Sequence, residues 1–196
     1  MRFIGVDPSV TGFASVILDD QLNVTKEITL KENTKLPDPQ RMMDLVDRFI
    51  KESELVKGDT LFIEGFAYHG KIGYGTSKAY GIGWLLRERL IRHGCFYLDI
   101  SPSRLKKYAT DNGRASKEEV ISSVELIFGY NVPNRTSRAN SPKNDDLADA
   151  YTLSRMSRDY YYKFYKEGAE DYFDYQDKIL EAVHKQLQEG QINSTN

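Results

Sequence analysis

At 196 residues and a formal net charge of −2, the chain is long enough for one domain with a substantial core. Its single cysteine, Cys95, excludes an intrachain disulfide and a cysteine-rich zinc site, and no run of about 18 apolar residues offers a membrane span. Charge is unevenly spread: residues 1–69 carry 8 Lys/Arg against 12 Asp/Glu, residues 70–140 carry 12 against 6, and residues 141–196 carry 7 against 11. A basic middle between acidic ends suits a protein that meets polyanion with one surface and cations with another. Scattered lysines on solvated helix faces would give the same count.

The chain opens on an apolar run that reaches one carboxylate, Asp7, and then turns at Pro8-Ser9 and Gly12. Residues 13–18 read as a second strand and 24–30 as a third, which makes an antiparallel meander. A helix is expected over 40–55, with Met42, Leu45, Val46, Phe49 and Ile50 on one face. Residues 60–64 form a short apolar strand that ends on an acid, Glu64. The glycine-rich stretch 65–75 reads as a mobile loop carrying Phe66, Tyr68, Lys71 and Tyr74. Helical spacing resumes from Thr76 to about His93, with Gly94 as its stop.

Residues 95–100 make a fifth strand, and Ser101-Pro102 starts a short helix over 103–108. Ser116 and Glu119 form a capping-box pattern at the head of the next helix. Residues 131–144 read as an exposed basic loop. A long helix is expected from Asp145, and a last amphipathic one over about 172–187. This order predicts an α/β fold: a mixed five-stranded sheet flanked by helices on both faces, with a C-terminal helical extension.

Asp7 ends the first strand and Glu64 the fourth; if these strands lie parallel and adjacent, both acids emerge at one sheet edge. Asp146 and Asp149, three residues apart, share a helix face. Four carboxylates on one pole repel one another unless a cation sits among them, and hard divalent ions prefer such oxygen ligands. Two such ions would support phosphodiester hydrolysis. Each acid also has a plainer role: Asp7 as a turn residue, Glu64 as an exposed strand terminus, Asp145 and Asp146 as neutralisers of a helix N-terminus. Lys106 and Lys117 would contact phosphate, or would simply be solvated. Phe66, Tyr68 and Tyr74, interleaved with Lys71 and Lys78, would stack on or wedge between bases, or would pin their loop to the body.

Taken together, the segments at 5–12 and 62–64, Lys106 through Gly113-Arg114-Ala115-Ser116-Lys117, and Asp146-Leu147-Ala148-Asp149-Ala150 resemble RuvC-type Holliday junction resolvases of the ribonuclease-H-like superfamily. The resemblance covers roughly residues 1–156, taken as the nuclease domain, with 157–196 as a helical extension that departs from the bacterial pattern. It implies a homodimer that nicks two strands of a four-way DNA junction, leaving 5′-phosphate and 3′-hydroxyl ends. It implies Mg²⁺, with Mn²⁺ able to substitute and two ions per site, held by Asp7, Glu64, Asp146 and Asp149. By the same resemblance those four acids are catalytic, and Lys106 and Lys117 face the scissile phosphate. Expected DNA contacts are Phe66, Tyr68, Lys71, Lys78, Lys107 and Arg114, with Phe66 and Tyr68 flanking the position where the family places an aromatic wedge. A cytoplasmic protein of a bacterium or a phage-infected host cell is expected, with no membrane partner. The alternatives are a broader flap or fork nuclease of the same fold, and a junction-binding protein that cuts nothing.

Overall fold

A computed structural model of the chain describes residues 1–9, 12–66, 74–136, 141–166 and 172–189. Its centre is a five-stranded mixed sheet in the order β3-β2-β1-β4-β5. The strands are β1 (Phe3–Asp7), β2 (Phe13–Leu18), β3 (Val24–Leu30), β4 (Thr60–Glu64) and β5 (Phe96–Ile100). β1, β2 and β3 form the expected antiparallel meander, whereas β4 runs parallel to both β1 and β5. Strands β1 and β2 are buried throughout, which only a sheet covered on both faces allows.

One face is covered by α1 (Gln40–Ser53) and α2 (Tyr74–Arg92). Leu45, Val46 and Phe49 of α1 and Ile82, Leu86 and Leu90 of α2 pack there on Ile4, Val6, Leu61 and Ile63. The other face carries α3 (Pro102–Thr110), α4 (Lys117–Ile127), α5 (Asp145–Tyr165) and α6 (Asp174–Gln188). Successive strand side chains point to opposite faces, so Phe3 and Phe62, the neighbours of Ile4 and Leu61, belong to this second core.

The helix signals act where the sequence puts them. Ser101 accepts from the Arg104 N–H with Pro102 in the first turn, and Ser116 and Glu119 make a reciprocal capping box. Gly94 takes φ +65° directly after α2. At the head of α5 the capping oxygen comes from Asn144, which accepts from the Leu147 N–H, so neither Asp145 nor Asp146 is spent on that bond. The long helix α5 passes through residues 156 and 157 without a break, and α6 shares a core with α3 and α5. Of the glycine-rich stretch, Tyr74 and Gly75 open α2, while 67–73 lie outside the described residues.

Candidate active site

The position of Asp7 follows from strand alternation. Ile4 and Val6 point toward α1 and α2, which leaves Phe3, Gly5 and Asp7 on the α5 side. The same alternation in β4 gives Glu64 to that side along with Phe62. Val6 pairs with Ile63 in parallel register, so Asp7 and Glu64 follow one residue later on adjacent strands.

Helix α5 reaches these acids because the sheet lets it come close. A Cβ at Gly5 would collide with the Ala150 carbonyl and the Ser154 backbone nitrogen. With glycine there, Ser154 Oγ donates to the Phe3 carbonyl at 2.7 Å and Ser157 Oγ to the Thr60 carbonyl at 3.2 Å. These bonds fix α5 across β1 and β4, with Asp146 and Asp149 over the strand ends. Gly12 leaves room for a side chain of α5: a Cβ there would displace the Asp146 carboxylate from its place.

Asp7, Glu64, Lys106, Lys117, Asp146 and Asp149 all line one cleft, together with Ser9 and Asp145. All six residues expected to be catalytic thus meet at one place, delivered by β1, β4, α3, α4 and α5. Burial pushes the Asp7 carboxyl well above the usual range, reinforced by Glu64, Asp149 and Asp146. Glu64 is raised by burial too, although its hydrogen bond with Asp7 and the charge of Lys106 oppose the shift. Asp149 is pushed up to about 7, first by burial and then by Glu64.

Among the described residues, no three His, Cys, Asp or Glu side chains stand so as to hold an ion without moving. The donor set nonetheless fits a hard divalent cation. It consists of carboxylate oxygens from four acids gathered in one cleft, whose mutual repulsion a cation would relieve. Mg²⁺ retains several waters and takes only one or two carboxylates directly, so a closed protein cage is not required.

Asp145 is a site residue that sequence reasoning left as a helix-end charge. It is 7% exposed and is ion-paired with both Lys117 and Arg135. Arg135 also lies 3.2 Å from Asp146. The basic loop therefore sends a guanidinium to the edge of the acid cluster. The doublet Asp145-Asp146 was the available signal: two adjacent residues of a helix point to different sides and seldom do the same work.

The expected DNA contacts divide. Lys107 and Arg114 are exposed. Tyr68 and Lys71 lie outside the described residues. Lys78 is placed otherwise than expected: it is buried, and its ammonium is 2.7 Å from Glu32, so its charge is committed inside the protein. Phe66 is turned onto α2, with its ring 5.1 Å from those of Tyr80 and Trp84 and the Arg87 guanidinium 4.4 Å above it. Of the two roles open to it, pinning the chain to the body matches this placement.

A mixed sheet in this order, with acids from its first and fourth strands facing a helix that carries two more, is the arrangement of a ribonuclease-H-like fold. The solved structures agree: Thermus thermophilus RuvC in complex with a Holliday junction substrate aligns over 85% of this chain and 97% of that one, with a TM-score of 0.60 and 16% identity. The yeast mitochondrial Holliday junction resolvase Ydc2 aligns over 83% and 80%, with a TM-score of 0.53 and 17% identity.

In sequence, the chain is similar to the crossover junction endodeoxyribonucleases RuvC. It is 26% identical to that of Dehalococcoides mccartyi over 159 residues, 79% of this chain and 90% of that protein. It is 28% identical to that of Finegoldia magna over 165 residues, with coverage of 79% and 90%. No family model matches the chain. In sequence and in fold, then, the chain is similar to RuvC proteins.

Proposed function

We propose that this protein is a metal-dependent endonuclease that resolves four-way DNA junctions by paired hydrolysis of phosphodiester bonds, leaving 5′-phosphate and 3′-hydroxyl ends. The observation that carries the reading is the convergence of Asp7, Glu64, Asp146 and Asp149 with Lys106 and Lys117 in one cleft. Resemblance to RuvC enzymes over four fifths of the chain supplies the substrate class.

In this reading Asp7, Glu64, Asp146 and Asp149 hold Mg²⁺, with Mn²⁺ as a substitute and room for two ions. A bound divalent ion supplies the charge that makes water nucleophilic near neutral pH and that offsets the leaving oxygen. The rest is done by the chain itself. Burial keeps the carboxylates poorly solvated, so they exchange protons for a cation readily. Lys106, on α3, and Lys117, at the start of α4, bring positive charge to the same cleft and stabilise a phosphate as its charge grows. Asp145 holds Lys117 and Arg135 beside the acids.

Paired nicks need two sites, so the active form is a homodimer. Supporting this, Trp84 and Ile91, two turns apart on α2, are 57% and 52% exposed. Lys107 and Arg114 meet the DNA backbone in this reading, with Tyr68 and Lys71 as further contacts. The nuclease domain takes residues 1–156 and the helical extension 157–196. No helix among the described residues is long and apolar enough to cross a membrane, and we place the protein in the cytoplasm.

The test is cleavage of a synthetic four-way junction in Mg²⁺, beside matched flaps, forks and linear duplex. Paired symmetrical nicks confined to the junction are expected. Equal cutting of flaps or forks would replace this reading with a broader branched-DNA nuclease. Binding without cutting in either Mg²⁺ or Mn²⁺ would leave only a junction-binding protein.

A further inference from the structure

The C-terminal helix α6 lies in a part of the chain to which the nuclease reading assigns no task. Its apolar face, Ile179, Leu180 and Val183, is buried against Leu105 and Tyr108 of α3 and Met156 and Tyr160 of α5. α3 is the helix that carries Lys106 into the cleft, while α5 carries Asp146 and Asp149. α6 therefore touches both carriers of the site without touching the site.

The polar contacts are more specific than the packing. Tyr108, two residues beyond Lys106, is fully buried and held at both ends. Its hydroxyl donates to Asp159 of α5 at 2.5 Å. Its backbone carbonyl accepts from the Gln176 side-chain amide of α6 at 3.2 Å. That carbonyl lies in the last turn of α3, where no helical N–H follows to pair with it. Gln176, 4% exposed, thus satisfies a last-turn carbonyl of the helix that bears Lys106, beside the Asp111 N–H that closes onto the Lys107 carbonyl.

Nearby contacts lock both partners in place. Asp159 also accepts from Arg155 at 2.6 Å and from Arg158 at 3.2 Å, which leaves it little freedom. Tyr172 donates to the Asp159 carbonyl at 3.0 Å, and Arg104 of α3 donates to Gln186 of α6. Lys163 of α5 ties α6 down through Asp177 and Glu181, at 2.5 and 2.9 Å.

We propose that α6 acts as a clamp on the active site: Gln176 and the Tyr108–Asp159 pair are positioning residues that set where Lys106 stands relative to the acids of α5. The inference rests on the reading of Lys106 as a phosphate-facing group. It follows from the geometry of rigid elements. Lys106 and Tyr108 point to opposite sides of a nine-residue helix, so movement of the anchored side moves the lysine with it. Displacement of a catalytic group by about 1 Å costs up to about 100-fold in rate.

The test is a double-mutant cycle on single-turnover junction cleavage with enzyme in excess. Tyr108→Phe removes only the hydroxyl, and Gln176→Met removes the donor to Tyr108, together with the Oε1 that accepts from the Phe173 N–H at the head of α6, while keeping the side-chain length. Lys106→Ala is made alone and combined with each. Junction affinity and thermal unfolding are measured for every variant. The clamp predicts a rate loss of about 5- to 50-fold for Tyr108→Phe and Gln176→Met, with junction Kd unchanged. In the Lys106→Ala background the same substitutions should cost less than about 2-fold, because the group they position has gone. An equal loss in both backgrounds, or no loss in a folded variant, would overturn the proposal. If Tyr108→Phe does not fold, Gln176→Met decides the matter alone. Should Lys106→Ala itself cut at the wild-type rate, the assignment of Lys106 falls, and the clamp falls with it.

Discussion

Replacing Asp149 with asparagine is expected to stabilise the metal-free protein while crippling it as a nuclease. Burial first, then the charges of Glu64 and Asp146, push the Asp149 carboxyl from 3.8, the unperturbed aspartate value, up to about 7 in the folded protein, with Lys117 and Lys106 only partly compensating. The folded pKa is the higher one. Between about pH 4 and 7 the native state therefore keeps a proton that the unfolded chain has released, and stability falls as pH rises through that window. A difference of about 3 pK units at about 1.36 kcal/mol each sets a ceiling of about 4 kcal/mol. Relaxation of the cleft and the cost of burying the new amide reduce this to about 1–3 kcal/mol at pH 8.

For a chain of this length each kcal/mol moves Tm by about 2–4 °C, so Asp149→Asn should melt roughly 2–12 °C above wild type at pH 8 in EDTA. At pH 5, about a third of the way through that window, the gain should fall to about 40% of its pH 8 value, and it should vanish only below about pH 4. Adding Mg²⁺ at pH 8 should raise the wild-type Tm more than the variant's, because a cation relieves the same repulsion. The assay is thermal unfolding followed by circular dichroism at both pH values, with and without Mg²⁺. A variant that is less stable than wild type at pH 8, or a gain independent of pH, would refute the picture of a strained, cation-seeking acid cluster.

Other substitutions test other links. Asp7→Asn should abolish Mg²⁺-dependent cleavage while junction binding, followed by gel shift, persists. Gly5→Ala forces a methyl group into the backbone of α5 and should cost at least about 2 kcal/mol in denaturant unfolding; a wild-type midpoint would disprove the close approach. Lys78→Met should leave junction affinity unchanged, because the ammonium is already paired with Glu32. Junction affinity of the wild type should weaken at least about 10-fold between about 50 and 200 mM salt, as backbone phosphate contacts require; an affinity indifferent to salt would remove the basic middle of the chain as the DNA surface.

Much of this protein is written locally. Five strands and the starts of α3 and α4 follow from short apolar runs between turn residues, Pro102, and the Ser116–Glu119 box, because those signals act over a few residues. Asp7 and Glu64 could be recognised as strand-end acids for the same reason, and the three-residue spacing of Asp146 and Asp149 put them on one helix face. Their meeting was a matter of strand order, and only the parallel β1–β4 register and the close approach of α5 at Gly5 decided it.

Partnership across long sequence distance was not legible. Lys78 and Glu32 are 46 residues apart, Lys117 and Asp145 are 28 apart, and Gln176 and Tyr108 are 68 apart. A lysine destined for DNA and one destined for a carboxylate of the protein look the same until the chain is folded. A charged or polar side chain carries no local mark of the group that will satisfy it, whereas an apolar stripe or a helix cap declares its use within one or two turns.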